Sequence, residues 1–244
     1  MTKGAAPVRL GPLRIACSSC SLRELCLPAG LSPRDLERVD RLVSQRRRLA
    51  RGEHLYRAGA PLAALYAIRS GFVKSFVVQA DGREQVAGFH MTGEILGLDA
   101  IGSGRHLCDA LALEDSEACE IPFVRLETLA RELPSLQQQL HRVMSREIAR
   151  DYGMMLLLGG MNAEERLAAF LLNLSQRFAA RGYSPTEFYL RMTRQDIGSY
   201  LGLKLETVSR SFSGLQRRGL IEVRQRRVRI LDLARLRAAL DPSS

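Results

Sequence analysis

Residues 193–217 read TRQDIGSYLGLKLETVSRSFSGLQR, and this stretch decides the fold of the C-terminal third. Thr193 to Asp196 caps a short helix predicted from Gln195 to Leu201, Gly202-Leu203 makes a tight turn, and a second helix starts at Lys204 or Leu205. Ile197, Leu201, Leu203, Val208 and Phe212 form a shared apolar mini-core, and Gly198 leaves room for close helix packing. This is the grammar of a helix-turn-helix. Glu206, Ser209 and Arg210 stand at i, i+3 and i+4 on the face free of core residues. Such a face suits the major groove, where Arg binds guanine bidentately and Glu accepts from cytosine, each good pair contributing about 1 to 3 kcal/mol of discrimination.

Downstream, Ile221-Glu222-Val223-Arg224 and Arg227-Val228-Arg229-Ile230 alternate about Gln225-Arg226, the pattern of a two-stranded wing. Arg217, Arg218, Arg224, Arg226, Arg227 and Arg229 are then expected on phosphates, giving affinity and salt dependence without sequence information. Charge agrees with this. The chain carries 36 Lys and Arg against 26 Asp and Glu, a net +10; residues 163–244 hold 15 basic and 8 acidic side chains, or +7, against +3 for residues 1–162. A basic third beside a helix-turn-helix implies double-stranded DNA as partner. Upstream, Asn162 to Glu165 reads as a capping box before a helix with Leu167, Phe170, Leu171, Leu174 and Phe178 on one face, ended by Arg181-Gly182. A winged helix-turn-helix domain is therefore set at 162–244.

Residues 49–123 have another rhythm, with short apolar runs punctuated by glycines from Gly52 to Gly104. Tyr66 to Lys74 and Lys74 to Val78 read as strands, and Asp81-Gly82 as a hairpin turn before Val86. A β-roll of about eight strands follows. Ser32-Pro33 opens a short helix with Leu36, Val39, Leu42 and Val43 on one face, so this sensor-like domain is placed at 31–133. Pro134 then starts a long helix, 134–161, ending at Gly159-Gly160. Met144, Ile148, Asp151, Met155 and Leu158 repeat at 4-3-4-3 spacing, the seam of a coiled coil, which implies a homodimer. Asp151 is out of place there. Facing its symmetry mate at 4 Å it would cost about 1 to 4 kcal/mol for effective dielectric constants of 80 to 20; two heptads leave open that it points to solvent instead. The fold class is α+β.

At 244 residues, 46% apolar and 25% charged, the chain is an ordinary globular protein, with no run of 18 apolar residues to span a bilayer. Arg9 and Arg14 break the only apolar stretch before Ala16-Cys17, so no signal sequence is expected and the location is cytoplasmic. Five cysteines in a reducing compartment then read as ligands or redox groups rather than disulfides. Cys17-x2-Cys20-x5-Cys26 sets three thiols within ten residues of a segment, 1–30, that has no core of its own. Zinc or an iron-sulfur cluster each asks for a fourth thiolate, from Cys108 or Cys119. His54, His90, His106 and His141 are scattered without ligand or nucleophile spacing, so no enzyme is expected.

The cysteine triplet, Gly88-Phe89-His90, Gly93-Glu94, Gly97 through Gly104, Cys119-Glu120-Ile121-Pro122-Phe123, Asn162 through Phe170 and Glu206-Thr207-Val208-Ser209-Arg210 make a joint pattern. On them the chain resembles, over nearly its whole length, the FNR regulators, the oxygen-sensing branch of the CRP/FNR transcription factors. The resemblance implies Cys17, Cys20, Cys26 and Cys119 as ligands of an oxygen-labile 4Fe-4S cluster and leaves Cys108 as a packing residue. It implies palindromic DNA sites of TTGAT and ATCAA half-sites read by Glu206, Ser209 and Arg210, in control of anaerobic metabolism. It further implies that Asp151, beside Ile148 and Met144, opposes dimerisation until the cluster is in place, and that the Asp81-Gly82-Arg83 tip faces RNA polymerase. A cyclic-nucleotide-sensing relative is disfavoured, because Asp109 stands where the Arg that clamps the cyclic phosphate is expected.

Overall fold

The computed structural model describes residues 17–240; the early part of the cysteine-bearing segment, including Arg9 and Arg14, and residues 241–244 lie outside the described residues. Eight antiparallel strands build a roll of two sheets. One sheet orders β1 (Gln45–Leu49), β8 (Ser116–Pro122), β3 (Ala64–Ser70) and β6 (Ile95–Leu96); the other orders β2 (His54–Tyr56), β7 (Asp109–Ala112), β4 (Phe72–Val78) and β5 (Glu84–Met91). The expected strand break at Lys74 falls instead at Gly71. Its φ of +92° turns the chain, and an added Cβ would lie 2.1 Å from the Ser116 hydroxyl oxygen, so only glycine fits.

Alternation along the strands sorts the side chains into layers. From β3, Ala64, Tyr66 and Ile68 point into the roll with Val73, Leu96, Cys108 and Ala118. Leu65 and Ala67 point outward, under α1 (Pro33–Asp40), α2 (Phe123–Glu132) and the start of α3 (Pro134–Gly160), through Val39, Leu126 and Leu136. Ser32 caps α1 with its hydroxyl, as its position before Pro33 predicts. The sequence gives no separate signal for α2, because Pro122 both ends β8 and caps the helix that follows.

From β4 and β5, Phe72, Phe76, Val86 and Phe89 face away from the roll and join the core of the C-terminal half. That half opens with α4 (Ala163–Ala179), whose Asn162–Glu165 capping box is present, followed by α5 (Arg194–Leu201) and α6 (Leu205–Arg217). The wing strands β10 (Ile221–Arg224) and β11 (Arg227–Ile230) gain a third partner, β9 (Glu187–Tyr189), too short for its alternation to be read. A last helix, α7 (Leu233–Ala238), closes the core through Leu236. Among the described residues no helix is long and apolar enough to cross a membrane.

His90 shows how tightly the roll meets its neighbours. Its Nε2 lies 2.9 Å from the Ser75 hydroxyl, and its Nδ1 is buried without a partner. Burial holds its pKa down to about 4, with Arg150 and Arg177 adding to the effect and Glu94 opposing it. The unfolded chain takes up this proton near pH 6.5, so between about pH 6.5 and 4 the unfolded state binds more protons and stability falls as pH falls. The full contribution is about 3 kcal/mol. Urea unfolding at pH 7 and pH 5 should show a markedly smaller acid loss in His90→Gln than in the parent; equal losses would rule out this residue as the source.

Candidate metal centre and nucleic-acid interface

The cysteine segment folds as a chain of tight turns around a single 3-10 turn, Arg23–Leu25. The Cys20 amide donates to the Cys17 carbonyl at 3.1 Å, and Cys26 donates to Leu22 at 3.1 Å. Ser18 anchors the segment to α1, its amide and hydroxyl donating to the Asp40 carboxylate at 3.0 and 2.6 Å. Leu27 then buries its side chain in the outer core.

These turns set Cys17, Cys20 and Cys26 around one cavity whose far wall is β8, with Cys119 among its lining residues. Strand alternation explains the choice: Cys119 shares the outward face with Ile121, whereas Ala118 points into the roll. Cys108 stands in the other layer, inside the roll, with its thiol 3.6 Å from the Asp99 carboxylate. The rest of the cavity wall is mostly aliphatic, with Val39, Leu42, Ala67 and Ile121, apart from Arg23 and Arg69. Arg69 donates to the Cys20 sulfur at 3.8 Å and is tied to Glu117 at 3.1 Å. Burial pushes the thiols of Cys17 and Cys26 up to about 12, and raises that of Cys119 against the charges of Arg69 and Arg46. Among the described residues no three His, Cys, Asp or Glu side chains converge at the spacing of one metal ion. Four thiols among the lining residues of one cavity are a donor set that fits either four-coordinate zinc or an iron-sulfur cluster.

The second site is the reading face. Thr193 and Asp196 form the capping box of α5, and Gly202, at φ +65°, ends it in the left-handed turn. A Cβ on Gly198 would lie 2.6 Å from the Leu203 carbonyl oxygen, which fixes how closely the turn folds back on the helix. On α6, Val208 and Phe212 are buried, while Glu206 and Arg210 are exposed and Ser209 half-exposed. Glu206 and Arg210 have no ion-pair partner among the described residues. The wing departs from expectation. Arg227 pairs with Glu187 of β9 at 2.7 Å, Arg224 with Glu222 at 2.7 Å and Arg218 with Glu164 at 3.5 Å, leaving Arg217, Arg226 and Arg229 exposed and without an ion-pair partner among the described residues.

Several residues outside the sequence reading hold this face in place. Arg166 of α4 donates to the carbonyls of Leu158, Met161 and Leu201 at 2.8, 2.9 and 3.1 Å, joining the ends of α3 and α5. Lys74 of β4 is buried and paired with Glu84 and, at 3.0 Å, with Asp196. Ser199 of α5 accepts from the Val86 amide at 2.8 Å and donates to the Glu84 carbonyl at 2.7 Å. A lysine in an apolar strand is the one signal that pointed to such a partner. The third group is the α3 seam. Ile148, Tyr152, Met155 and Leu156 are 52, 64, 66 and 77% exposed, and Asp151 is exposed beside them. Burial raises the Asp151 carboxyl, against the charge of Arg150. Met144, half-buried, lines a cavity between α3 and the roll together with Ile148 and Asp151. The four histidines lie apart: His54 faces Asp109 at 3.6 Å, His106 stacks on Tyr56 at 3.7 Å, and His141 is exposed.

Residues 165–239 match the family model of the Crp-like helix-turn-helix domain, and residues 46–132 match that of the cyclic nucleotide-binding domain. The chain is 49% identical to the transcriptional regulatory protein btr of Bordetella pertussis, over 97% of this chain and 98% of that one. It is 48% identical to the fumarate and nitrate reduction regulatory protein of Escherichia coli K12, over 91% and 89% of the two chains. Among solved structures it is similar to FixK2 from Bradyrhizobium japonicum, with a TM-score of 0.75 and 32% identity, covering 83% of this chain and all of that one.

Proposed function

The chain belongs to the CRP/FNR family and is a DNA-binding transcription regulator of the FNR type, and from this premise we propose that it senses oxygen through a 4Fe-4S cluster held by Cys17, Cys20, Cys26 and Cys119. The observation that carries the reading is the shared cavity: four thiols line it, and the fifth, Cys108, lies on the other side of a sheet. When bound, such a cluster supplies an oxygen-labile centre of the thiolate-ligated kind. The chain's own part is to bring its N-terminal turns down onto β8, with Ser18 on Asp40 and Leu27 in the core as fixed points. Aliphatic walls limit water at the thiols, and Arg69 brings a positive charge to Cys20.

We assign the segment within 1–30 to the cluster, 31–133 to the sensor roll, 134–161 to dimerisation and 162–244 to DNA. Two chains meeting along Met144, Ile148, Met155 and Leu158 would cover the exposed apolar face of α3, with Asp151 opposing the approach. Anything that favours the dimer-competent conformation offsets this repulsion by linkage, and two reading heads on one palindrome bind far better than one. Glu206, Ser209 and Arg210 read the TTGAT and ATCAA half-sites; Arg217 and Arg226 contact phosphates. The Asp81–Arg83 tip, an exposed turn closed by Arg83 on Asp81, is assigned to RNA polymerase in the cytoplasm. The relatives are transcription regulators, and the four histidines are accordingly given no catalytic role.

Anaerobic purification should yield a coloured protein whose absorption bleaches in air; a colourless protein with one zinc per chain would overturn the cluster. Under the same conditions Cys119→Ala should lose the absorption and Cys108→Ala keep it, and the reverse would reassign the fourth ligand. Sedimentation in air should find Asp151→Ala dimeric where the parent is monomeric; an unchanged monomer would place Asp151 outside the seam contact. In binding-site selection Arg210→Ala should relax preference at one base pair, by about 1 to 3 kcal/mol. Arg226→Ala should weaken all sequences alike and lower the salt slope by about one; uniform loss from both would make Arg210 a backbone contact.

A further inference from the structure

Glu94 is a fully engaged carboxylate at the point where the three parts of the molecule meet. It ends the turn Met91–Glu94, which is held to β3 by the Gly93 amide donating to the Ile68 carbonyl at 2.7 Å. Its own side chain accepts from the Met91 amide at 3.2 Å, so the carboxylate and the turn move together. From α4, Arg177 donates to Glu94 at 3.1 and 2.7 Å and also to the Phe89 carbonyl at 2.6 Å. Arg181 donates to Glu94 at 2.7 Å and to the Thr92 carbonyl at 2.6 Å. From α3, Arg150 lies 3.7 Å from the same carboxylate, one residue before Asp151. Glu94 is 9% exposed, so these pairs are largely removed from water, where loss of one partner leaves the others uncompensated.

The cysteine segment rests on this turn. Gly93 has φ +87°, and a Cβ built on it would fall 2.9 Å from the Leu25 Cβ and 3.5 Å from its Cδ1. Leu25 precedes Cys26 and closes the 3-10 turn between Cys20 and Cys26. Only a residue without a side chain lets Leu25 approach the turn this closely, so Leu25 and the Gly93-Glu94 turn are immediate neighbours. The two arrangements that coupling through this contact needs are those of the cysteine segment with and without its bound group.

We infer that Glu94 is the positioning residue that couples the cysteine segment to the reading half and the dimer helix, through Leu25 on Gly93 at one side and Arg177, Arg181 and Arg150 at the other. The inference rests on the cluster reading above. When the segment is in place, Leu25 supports the turn, the turn aims the carboxylate, and the carboxylate fixes α4, which carries the helix-turn-helix, against α3. When it is not, the arginines lose their fixed anchor, and the half-site spacing of two paired heads is lost with it. Charge and position both count: a neutral side chain of the same shape fills the space and keeps one acceptor oxygen, but removes the negative charge and the second oxygen that three guanidinium groups share.

A double-mutant cycle tests this on the full chain, handled without air, with a duplex carrying the TTGAT and ATCAA half-sites. Cys20→Ala should lower the DNA affinity of the parent by about 5- to 150-fold, the usual range of an allosteric coupling. In a Glu94→Gln background the same change should have an effect near one-fold, while the absorption spectrum of Glu94→Gln with its cysteines intact matches the parent. An undiminished Cys20→Ala effect in the Glu94→Gln background would overturn the coupling while leaving the cluster reading standing. No effect of Cys20→Ala in the parent would sink the cluster reading and this inference with it. Should Glu94→Gln fail to fold, Arg150→Gln, which keeps the pairs to Arg177 and Arg181, enters the cycle in its place. A diminished Cys20→Ala effect there supports the coupling, and a full-sized one rejects it.

Discussion

Strands β3 and β4 are buried on both faces, and the rest of the molecule is arranged around that constraint. A strand covered on one side only needs one core; these two need three. The odd-numbered side chains of β3, Leu65 and Ala67, require a cover outside the roll, and α1, α2, the root of α3 and the cysteine segment supply it. The even-numbered side chains of β4, Phe72 and Phe76, require another, and the C-terminal half supplies that one. The cysteine segment and the C-terminal half are thus layers on opposite faces of one roll, and burial of apolar surface holds both in place.

The polar groups trapped between those layers fix their orientation. Lys74 emerges from β4 into the contact with α5 and is paired there with Asp196, which also caps the helix. Glu94 receives Arg177 of α4 and Arg181 just beyond its end, and its carboxyl is held down at about 2; burial alone would raise it, and the charges of Arg177 and Arg150 outweigh that cost. Pairs of this kind contribute little net stability against an apolar alternative, but they permit only one alignment. Arg166, which spans three backbone carbonyls, does the same at the far end of α5 without a partner carboxylate.

By contrast, the outer face of α3 is left uncovered. Its exposed Ile148, Tyr152, Met155 and Leu156 form an apolar strip on the outer side of the helix, and a strip of that kind marks a contact surface. Arg150 ties the inner side of this helix to Glu94 and Glu147, one residue from Asp151 on the outer side. The apolar strip and the Glu94 cluster are therefore neighbours through a single residue.

The sequence by itself determined what depends on local periodicity. Helix starts at Ser32, Asn162 and Thr193, the glycine turn at Gly202, the alternating wing and the three-thiol spacing are all written in a few adjacent residues, because caps, turns and alternation are satisfied within one element. Glu206, Ser209 and Arg210 fall on one helical face for the same reason. Tertiary structure alone decided which of Cys108 and Cys119 shares a cavity with the N-terminal thiols. That depends on β8 lying between β1 and β3 and on the register that turns Cys119 outward, and no short stretch of sequence encodes a pairing across some fifty residues. It also decided that Arg218, Arg224 and Arg227 are spent on carboxylates and that Glu94 meets Arg150 of α3, Arg177 of α4 and Arg181 of the turn that follows it. A charge shows its sign in the sequence, but its partner is chosen by the packing of distant layers.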